Sequence, residues 1–570
     1  MKEYLGNRVL VFAGLVILFA VIMLSRLYYL QVIHGAYFKD RADRQYVHTK
    51  SGVFNRGDIY FSEKNGNLVS AATLKTGYTL AINPKLLTNP EDTYNKINPI
   101  YELDEKVFLD KASKKTDPYE ELGKRLSSDV GEKIASLKIP GVILEKDRWR
   151  YYPGGSLASN AVGFVAFKDS DLSGRYGVEK YYNDILSRDD KGVYTNFFTE
   201  IFLKIQKGIE DDNLGGEGDI VLTIEPTVEE YLERTLSAVN KEYSGELAGG
   251  IIMDPKNGEI VAMAVNPSFD LNKFQEEKNS GIYNNPLVDS SYEMGSIIKP
   301  LTMASGLDAK VVIPETTYND KGFIVLNEAK ISNFDHKGRG VVPMQEVLSQ
   351  SLNTGVAFVE SKLGNKKFAE YMRNFGMGEE TGIDLPAEAS GLINNLNSPR
   401  DVEYATASFG QGVSLTPIQT IRALSALSNG GYLVTPHLVK TINYTVGVNR
   451  DVTFDKGRQV ITPETSATIS RMLTTVVDKA MLHGKIKQER YSVAAKTGTA
   501  QMARPDGKGY YDDRYLHSYF GYFPAQNPRY IVFMYIVYPK GVQFASETLA
   551  MPFSKVSQFL INYYQIPPDR

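Results

Sequence analysis

The sequence contains no cysteine, which excludes disulfides, thiolate metal ligands and a cysteine nucleophile together. If the chain lives outside the cytoplasm, core packing alone must hold it. Histidine is scarce: six occur (His34, His48, His336, His437, His483 and His517), none in a His-x-x-x-His pair, so a histidine-based metal site has little to draw on. No G-x-S-x-G nucleophile elbow is present. An excess of one charge is also missing. The 64 Lys and Arg against 67 Asp and Glu leave a formal net charge of -3, which gives no bulk attraction to nucleic acid. Internal repeats and low-complexity tracts are absent. What is there is ordinary globular composition, 42% hydrophobic and 23% charged, over 570 residues. That length exceeds what one hydrophobic core usually organises, so two or three domains are expected.

One long hydrophobic run stands out. Val9 to Leu24 reads VLVFAGLVILFAVIML between Arg8 and Arg26, and as a helix it spans about 24 Å, slightly short for a bilayer core. Leu27, Tyr28, Tyr29 and Leu30 extend the apolar surface, with Arg26 able to snorkel and the tyrosines suited to the headgroup layer. A cleaved signal peptide would want a small-x-small site soon after the run, whereas SRLYYLQVIHG follows, so an uncleaved anchor is expected. Lys and Arg flank the run on both sides and do not orient it.

Beyond the anchor the chain divides into a tail and anchor at 1–35, a non-catalytic module at 36–218 and a larger domain at 219–570. The middle module is polar, with helical charge-rich stretches such as DEKVFLDKAS and GEKIASLKI between Pro and Gly punctuation. The cluster at 213–218 is a plausible hinge, followed by strand-like DIVLTI and helix-like PTVEEYLERTLSAV. GGIIMDP (249–255) and EIVAMAV (259–265), joined by Lys256, Asn257 and Gly258, form the strongest short hairpin signal. Helical patterns then dominate until RYIVFMYIVYP (529–539). The expected fold is α+β: an antiparallel sheet built from both ends of the last domain, with helices between.

Three short elements carry chemistry. YEMGSIIKP sets Ser296 and Lys299 at i and i+3, one helical turn apart on one face. Pro300 cannot donate to the Ser296 carbonyl, so an unkinked helix needs Ser296 near its first turn, where orphan N–H groups favour developing negative charge. QSLNTG offers Ser351 and Asn353; AAKTGTA offers Lys496, Thr497, Gly498 and Thr499. Strand alternation splits the last four between two faces unless the strand is an edge lining a cleft, where Gly498 would admit a substrate backbone. Singly, these are a solvated helix surface, a capped turn and a Lys-Thr loop. Their order and spacing in one chain change the weighing.

The triple S-x-x-K, S-x-N and K-T-G resembles the motif set of penicillin-binding proteins and class A β-lactamases. The likeness runs along nearly the whole chain: RGDIY at Arg56, RYYPGG at Arg150, GRYGVEKYYND at Gly174, DPKNGEIVAMAVNPSFD, GQGVSLTPIQ at Gly410 and SYFGYFPAQNP at Ser518 all resemble a class B penicillin-binding protein. Met294 departs from the proline often found there, and Leu352 fills a variable position. The resemblance implies a peptidoglycan D,D-transpeptidase anchored by one span in the bacterial cytoplasmic membrane, N-terminus in and catalytic domain out, with a pedestal module before the transpeptidase domain. It implies Ser296 as nucleophile attacking the penultimate D-Ala of a stem peptide. Lys299 would be the base and Ser351 the proton relay to the leaving amine. Asn353 would hold the peptide backbone, and Lys496, Thr497 and Thr499 the terminal carboxylate. Neither metal nor organic cofactor is required. Implied partners are D-Ala-D-Ala stem peptides, β-lactams, and a SEDS-type glycan polymerase with other division or elongation membrane proteins; FGMGEETGIDLPAEASG leans towards the division-specific branch. Two other readings use the same pocket: an acyl-serine hydrolase, either carboxypeptidase or β-lactamase, and a non-enzymatic β-lactam sensor or scaffold.

Overall fold

The computed structural model describes residues 54–168, 171–188 and 216–570, except 446, 455, 505, 506 and 508, together with positions 19 and 23. The run at 9–24 and the hinge residues 213–215 lie outside the described residues, apart from those two positions. Among the described residues no helix is long and apolar enough to cross a membrane. Residues 55–189 and 194–570 form one unit.

The first half of that unit is built on a seven-stranded sheet. Strands β1 (Ile59–Ser62), β2 (Leu68–Ile82) and β3 (Glu120–Ser127) lie side by side, and β4 (Val142–Tyr151) also pairs with β2. The expected helices flank it as α1 (Glu105–Ser113) and α2 (Ser128–Ser136). Each starts on a side-chain cap, with Asp104 accepting from the Val107 N–H at 2.8 Å and Ser127 from the Val130 N–H at 3.3 Å. Strand β5 (Gly218–Leu222) runs parallel to β1 and antiparallel to Val439–Tyr444. The sheet therefore takes strands from both sides of residue 218, a long-range pairing without local sequence signal.

A buried charged hub sits where three sequence blocks meet. Glu179 is fully buried and receives Arg56 Nε at 2.5 Å and Arg150 Nε at 2.6 Å, one on each oxygen, with the Tyr152 hydroxyl at 3.3 Å. Arg56 also donates to the Glu179 carbonyl at 2.7 Å, and Arg150 to the Gly57 carbonyl at 2.7 Å. Burial pushes the Glu179 carboxyl up, but Arg150 and Arg56 outweigh it and hold the group below the usual carboxylate range.

The second half centres on a five-stranded antiparallel sheet. The predicted hairpin forms as β6 (Leu247–Met253) and β7 (Ile260–Asn266), after helix α3 (Pro226–Tyr243). Near the chain end come β8 (Ala494–Ala503), β9 (Tyr510–Phe523) and β10 (Tyr530–Val537), giving the order β8-β9-β10-β6-β7. The sheet thus joins both ends of the domain, as the sequence pattern predicts. All eight β10 residues are buried, which explains a run that is apolar without alternation. The C-terminal helix Ala550–Tyr563 packs on α3, where the rings of Tyr231 and Phe559 stack at 3.9 Å. Strand β8 stays at the edge, leaving one side open to a cleft.

Candidate active site

Ser296 lies in a 3-10 turn, Gly295–Ile298, that runs into helix α4 (Lys299–Asp308). Pro300 has no N–H for the Ser296 carbonyl, so the Lys299 N–H takes that acceptor from three residues away, which is the 3-10 pattern. Ser296 is half-buried, whereas Lys299 is 1% exposed. Among the described residues the Ser296 hydroxyl has no hydrogen-bond partner. The Lys299 amine instead donates to the Ser351 carbonyl at 2.5 Å and to Ser351 Oγ at 3.1 Å.

Lys496 arrives at the same hydroxyl from the edge strand. Its Nζ donates to Ser351 Oγ at 3.0 Å and to the Thr497 carbonyl at 3.1 Å. Two buried amines thus share one oxygen. Burial, and then the positive charge of Lys496, push the Lys299 amine well below its usual value. Burial pushes Lys496 down to about 7. Two ammonium groups this close in a buried site oppose each other, and the Lys496 charge adds to burial in disfavouring the charged form of Lys299.

Ser351 has φ 54°, a left-handed backbone costing a non-glycine residue about 1–3 kcal/mol. That kink is held by the Leu352 N–H on the Val347 carbonyl at 2.9 Å, and it ends one helix just before α5 (Asn353–Leu363) begins. Asn353 Nδ2 donates to the Ser332 carbonyl at 2.9 Å. Behind it, the Thr354 hydroxyl donates to Asp320 at 2.8 Å, and Asn333 donates to both oxygens of Asp320 at 3.0 Å. These bonds fix the Ala329–Ser332 strand against the cleft.

Strand β8 presents Thr497 and Thr499, both half-buried, with Thr499 Oγ1 accepting from the Ala545 N–H at 3.1 Å. Gly498 differs from expectation. A Cβ there would stand 2.5 Å from the Met294 carbonyl oxygen and also against Ser518 Oγ, so the glycine admits the chain's own Ser296 turn rather than a substrate backbone. Gly295, with φ 64°, makes the reciprocal approach: its Cβ would meet the Thr499 carbonyl at 2.8 Å. The Gly295 N–H donates to the Gly410 carbonyl at 3.2 Å, which gives the GQG block a place in the site.

Ser296, Lys299, Ser351, Asn353, Lys496, Thr497 and Thr499 all line one cleft of about 900 Å³, and Gly498 stands behind its wall. Sequence reasoning missed His336, Arg339, Lys479, His483, Phe334 and Phe544, which line it as well. Phe334 and Phe544 meet edge to face at 5.8 Å although both are exposed. No spacing rule marks these residues, because segments far apart in sequence bring them in. Among the described residues, none of the side chains lining the cleft is Asp or Glu. No cluster of three His, Asp or Glu that could hold a metal occurs among the described residues either.

Residues 248–557 match the family model of the penicillin-binding protein transpeptidase domain, and residues 53–196 that of the penicillin-binding protein dimerisation domain. The chain belongs to the penicillin-binding proteins, as a class B member with the dimerisation domain ahead of the transpeptidase domain. It is 33% identical to stage V sporulation protein D of Bacillus subtilis, covering 94% of this chain and 83% of that one. It is 26% identical to peptidoglycan D,D-transpeptidase FtsI of Buchnera aphidicola, over 100% and 97%. The fold matches penicillin-binding protein 3 of Mycobacterium tuberculosis with a TM-score of 0.66 at 25% identity, covering 74% of this chain and 92% of that one. It also matches penicillin-binding protein 2X of Streptococcus thermophilus, TM-score 0.73 at 21% identity, over 90% and 80%.

Proposed function

We propose that this chain is a peptidoglycan D,D-transpeptidase, inhibited by β-lactams, that works through an acyl-enzyme on Ser296. The observation that carries the reading is the buried array at Ser351: two amines on one hydroxyl, with burial and the neighbouring Lys496 charge both disfavouring the charged form of Lys299, beside a serine on a constrained turn. Serine needs a base, and a neutral Lys299 supplies one where, among the described residues, no histidine is hydrogen-bonded to the turn. Lys299 takes the Ser296 proton as Oγ attacks the penultimate D-Ala carbonyl. Backbone N–H groups of Ser296 and Thr499 receive the oxyanion, a contribution of roughly 3 kcal/mol or more. The C–N bond then breaks, and the proton passes from Lys299 through Ser351 to the departing D-Ala amine. An acceptor amine from a second strand attacks the ester and gives its proton to Lys299, which passes it to Ser296 Oγ as the ester C–O bond breaks. Lys496, Thr497 and Thr499 hold the terminal carboxylate, and Asn353 the peptide backbone. Ser296 and Lys299 are not hydrogen-bonded here; catalytic contacts in free enzymes commonly close only around substrate.

A cleft with no carboxylate among its described lining residues speaks against class A β-lactamase chemistry, which uses a glutamate to position water. Penicillin-binding protein 3 of Mycobacterium tuberculosis, a relative in fold, has been crystallised with aztreonam and with ampicillin. The apolar run at 9–24 supports a single-pass anchor within 1–35, in the cytoplasmic membrane with the pedestal (36–218) and the transpeptidase domain (219–570) outside. A membrane-embedded SEDS-type glycan polymerase suits that topology, and a division or sporulation role suits relatives named for FtsI and stage V sporulation. The test is intact mass after incubation with penicillin. A Ser296-dependent adduct lasting hours is expected; an adduct that survives Ser296→Ala, or rapid drug turnover, refutes the reading.

A further inference from the structure

The basic side chains on the cleft wall outnumber those that one terminal carboxylate needs. Beyond Lys299 and Lys496, the lining includes Lys330, His336, Arg339, Lys479 and His483 with no Asp or Glu among the described lining residues. Some of these are already engaged. Arg339 is paired with both oxygens of Asp335, at 2.8 and 2.9 Å, and the Lys330 amine lies over the Phe323 ring at 4.5 Å. Lys479 is different: it is exposed, and among the described residues it has no ion pair or hydrogen bond.

The backbone around Lys479 is held in an uncommon shape. Val476–Ala480 is a single π turn, and Leu482 and His483 follow with φ 48° and 57°, consecutive left-handed residues that cost energy outside glycine. A clamp fixes the segment on the far side. Asp478 receives both Nη atoms of Arg570, at 2.6 and 2.9 Å, while Arg570 also donates to the Gln488 carbonyl at 2.7 Å. The only acid on the turn is thus neutralised, and Lys479 and His483 are left as the segment's basic side chains lining the cleft.

We infer that Lys479, on the clamped turn with His483, is a specificity residue that reads a second carboxylate on the acyl donor, N-terminal to D-Ala-D-Ala. The inference rests on the transpeptidase reading and narrows its substrate class. The second carboxylate is either the free α-carboxylate of the γ-linked glutamate or a carboxylate on the third residue's side chain. Both have the same chemistry, and amidation removes either. An exposed ion pair of this kind contributes about a five-fold preference, and salt screens it.

The test uses the purified full-length chain and four soluble synthetic donors: the free acid, each single carboxamide, and the double carboxamide. Relative kcat/KM for transfer to a fixed acceptor amine is measured at low and high salt. The expected result is about a five-fold preference for the free acid over the double carboxamide, weakened by salt, with the sensitive single carboxamide naming the carboxylate. In Lys479→Ala that ratio falls to about one, Lys479→Arg restores it and Lys479→Glu inverts it. A ratio near one in the wild type, or one unchanged in Lys479→Ala, overturns the inference. A wild-type chain that acquires no stable penicillin adduct overturns the acyl-serine reading instead, so the two failures are distinguishable.

Discussion

Replacing Glu179 with glutamine tests whether the charged hub holds the seven-stranded sheet together. The carboxylate is fully buried and accepts from two guanidiniums at 2.5 and 2.6 Å, with both arginine side chains almost fully buried as well. In Glu179→Gln one oxygen remains an acceptor, while the new NH₂ faces a guanidinium, donor against donor. At least one charge-assisted bond, about 1.5–3 kcal/mol, is lost, and two buried cations are left without a counterion. Removing one partner from a buried ion pair costs about 3–5 kcal/mol. Trp149, the one tryptophan in the chain, reports the change directly, because it is buried in β4 immediately before Arg150. With a urea m-value near 2 kcal/mol per molar, the Trp149 fluorescence midpoint drops by about 1.5–2.5 M.

The pH dependence supplies an internal check. Glu179 is held below its unfolded value, so its stabilisation is complete above the ordinary glutamate range near 4.3 and is lost as pH falls through the folded value. The wild-type and variant midpoints therefore stay apart from pH 8 to pH 5 and converge at lower pH. A midpoint shift below about 0.3 M, or a gap that widens on acidification, would refute the reasoning.

Other perturbations address the cleft. Lys496 carries its charge below about 7 and loses it above, so second-order acylation by penicillin should decline as pH rises through 7; stopped-flow rates that climb steadily to pH 9 would exclude Lys496 as the carboxylate's cation. Ser351→Ala removes the oxygen shared by both amines and should slow acylation about 10²- to 10⁴-fold while the Trp149 transition stays put. Gly498→Ala drives a methyl against the Met294 carbonyl and should displace the Ser296 turn, cutting acylation about 100-fold; a crystal structure with the turn unmoved would refute the packing role.

What the sequence reveals about this site depends on the range of each contact. Ser296 and Lys299 are one turn apart, and Pro300 forces the turn's geometry, so local rules suffice. Lys496 could be read as an edge-strand residue but not as a partner of Ser351, because 145 positions separate them and the pairing depends on how β8 meets the kink. Periodicity identified β6, β7 and β10 because buried strands leave apolar runs. It missed the joining of β5 to β1, whose two paired positions bridge some 160 residues. Gly498 illustrates the limit: its place on an edge strand made it a candidate for substrate approach, yet its missing Cβ is required by the protein's own Met294 carbonyl. The same geometry links two of the three motifs, since Gly295 and Gly498 let the Ser296 turn and β8 approach backbone to backbone. The Ser296 turn and the strand that would hold a substrate carboxylate therefore cannot shift independently, and a displacement at either glycine should disturb both acylation and carboxylate binding.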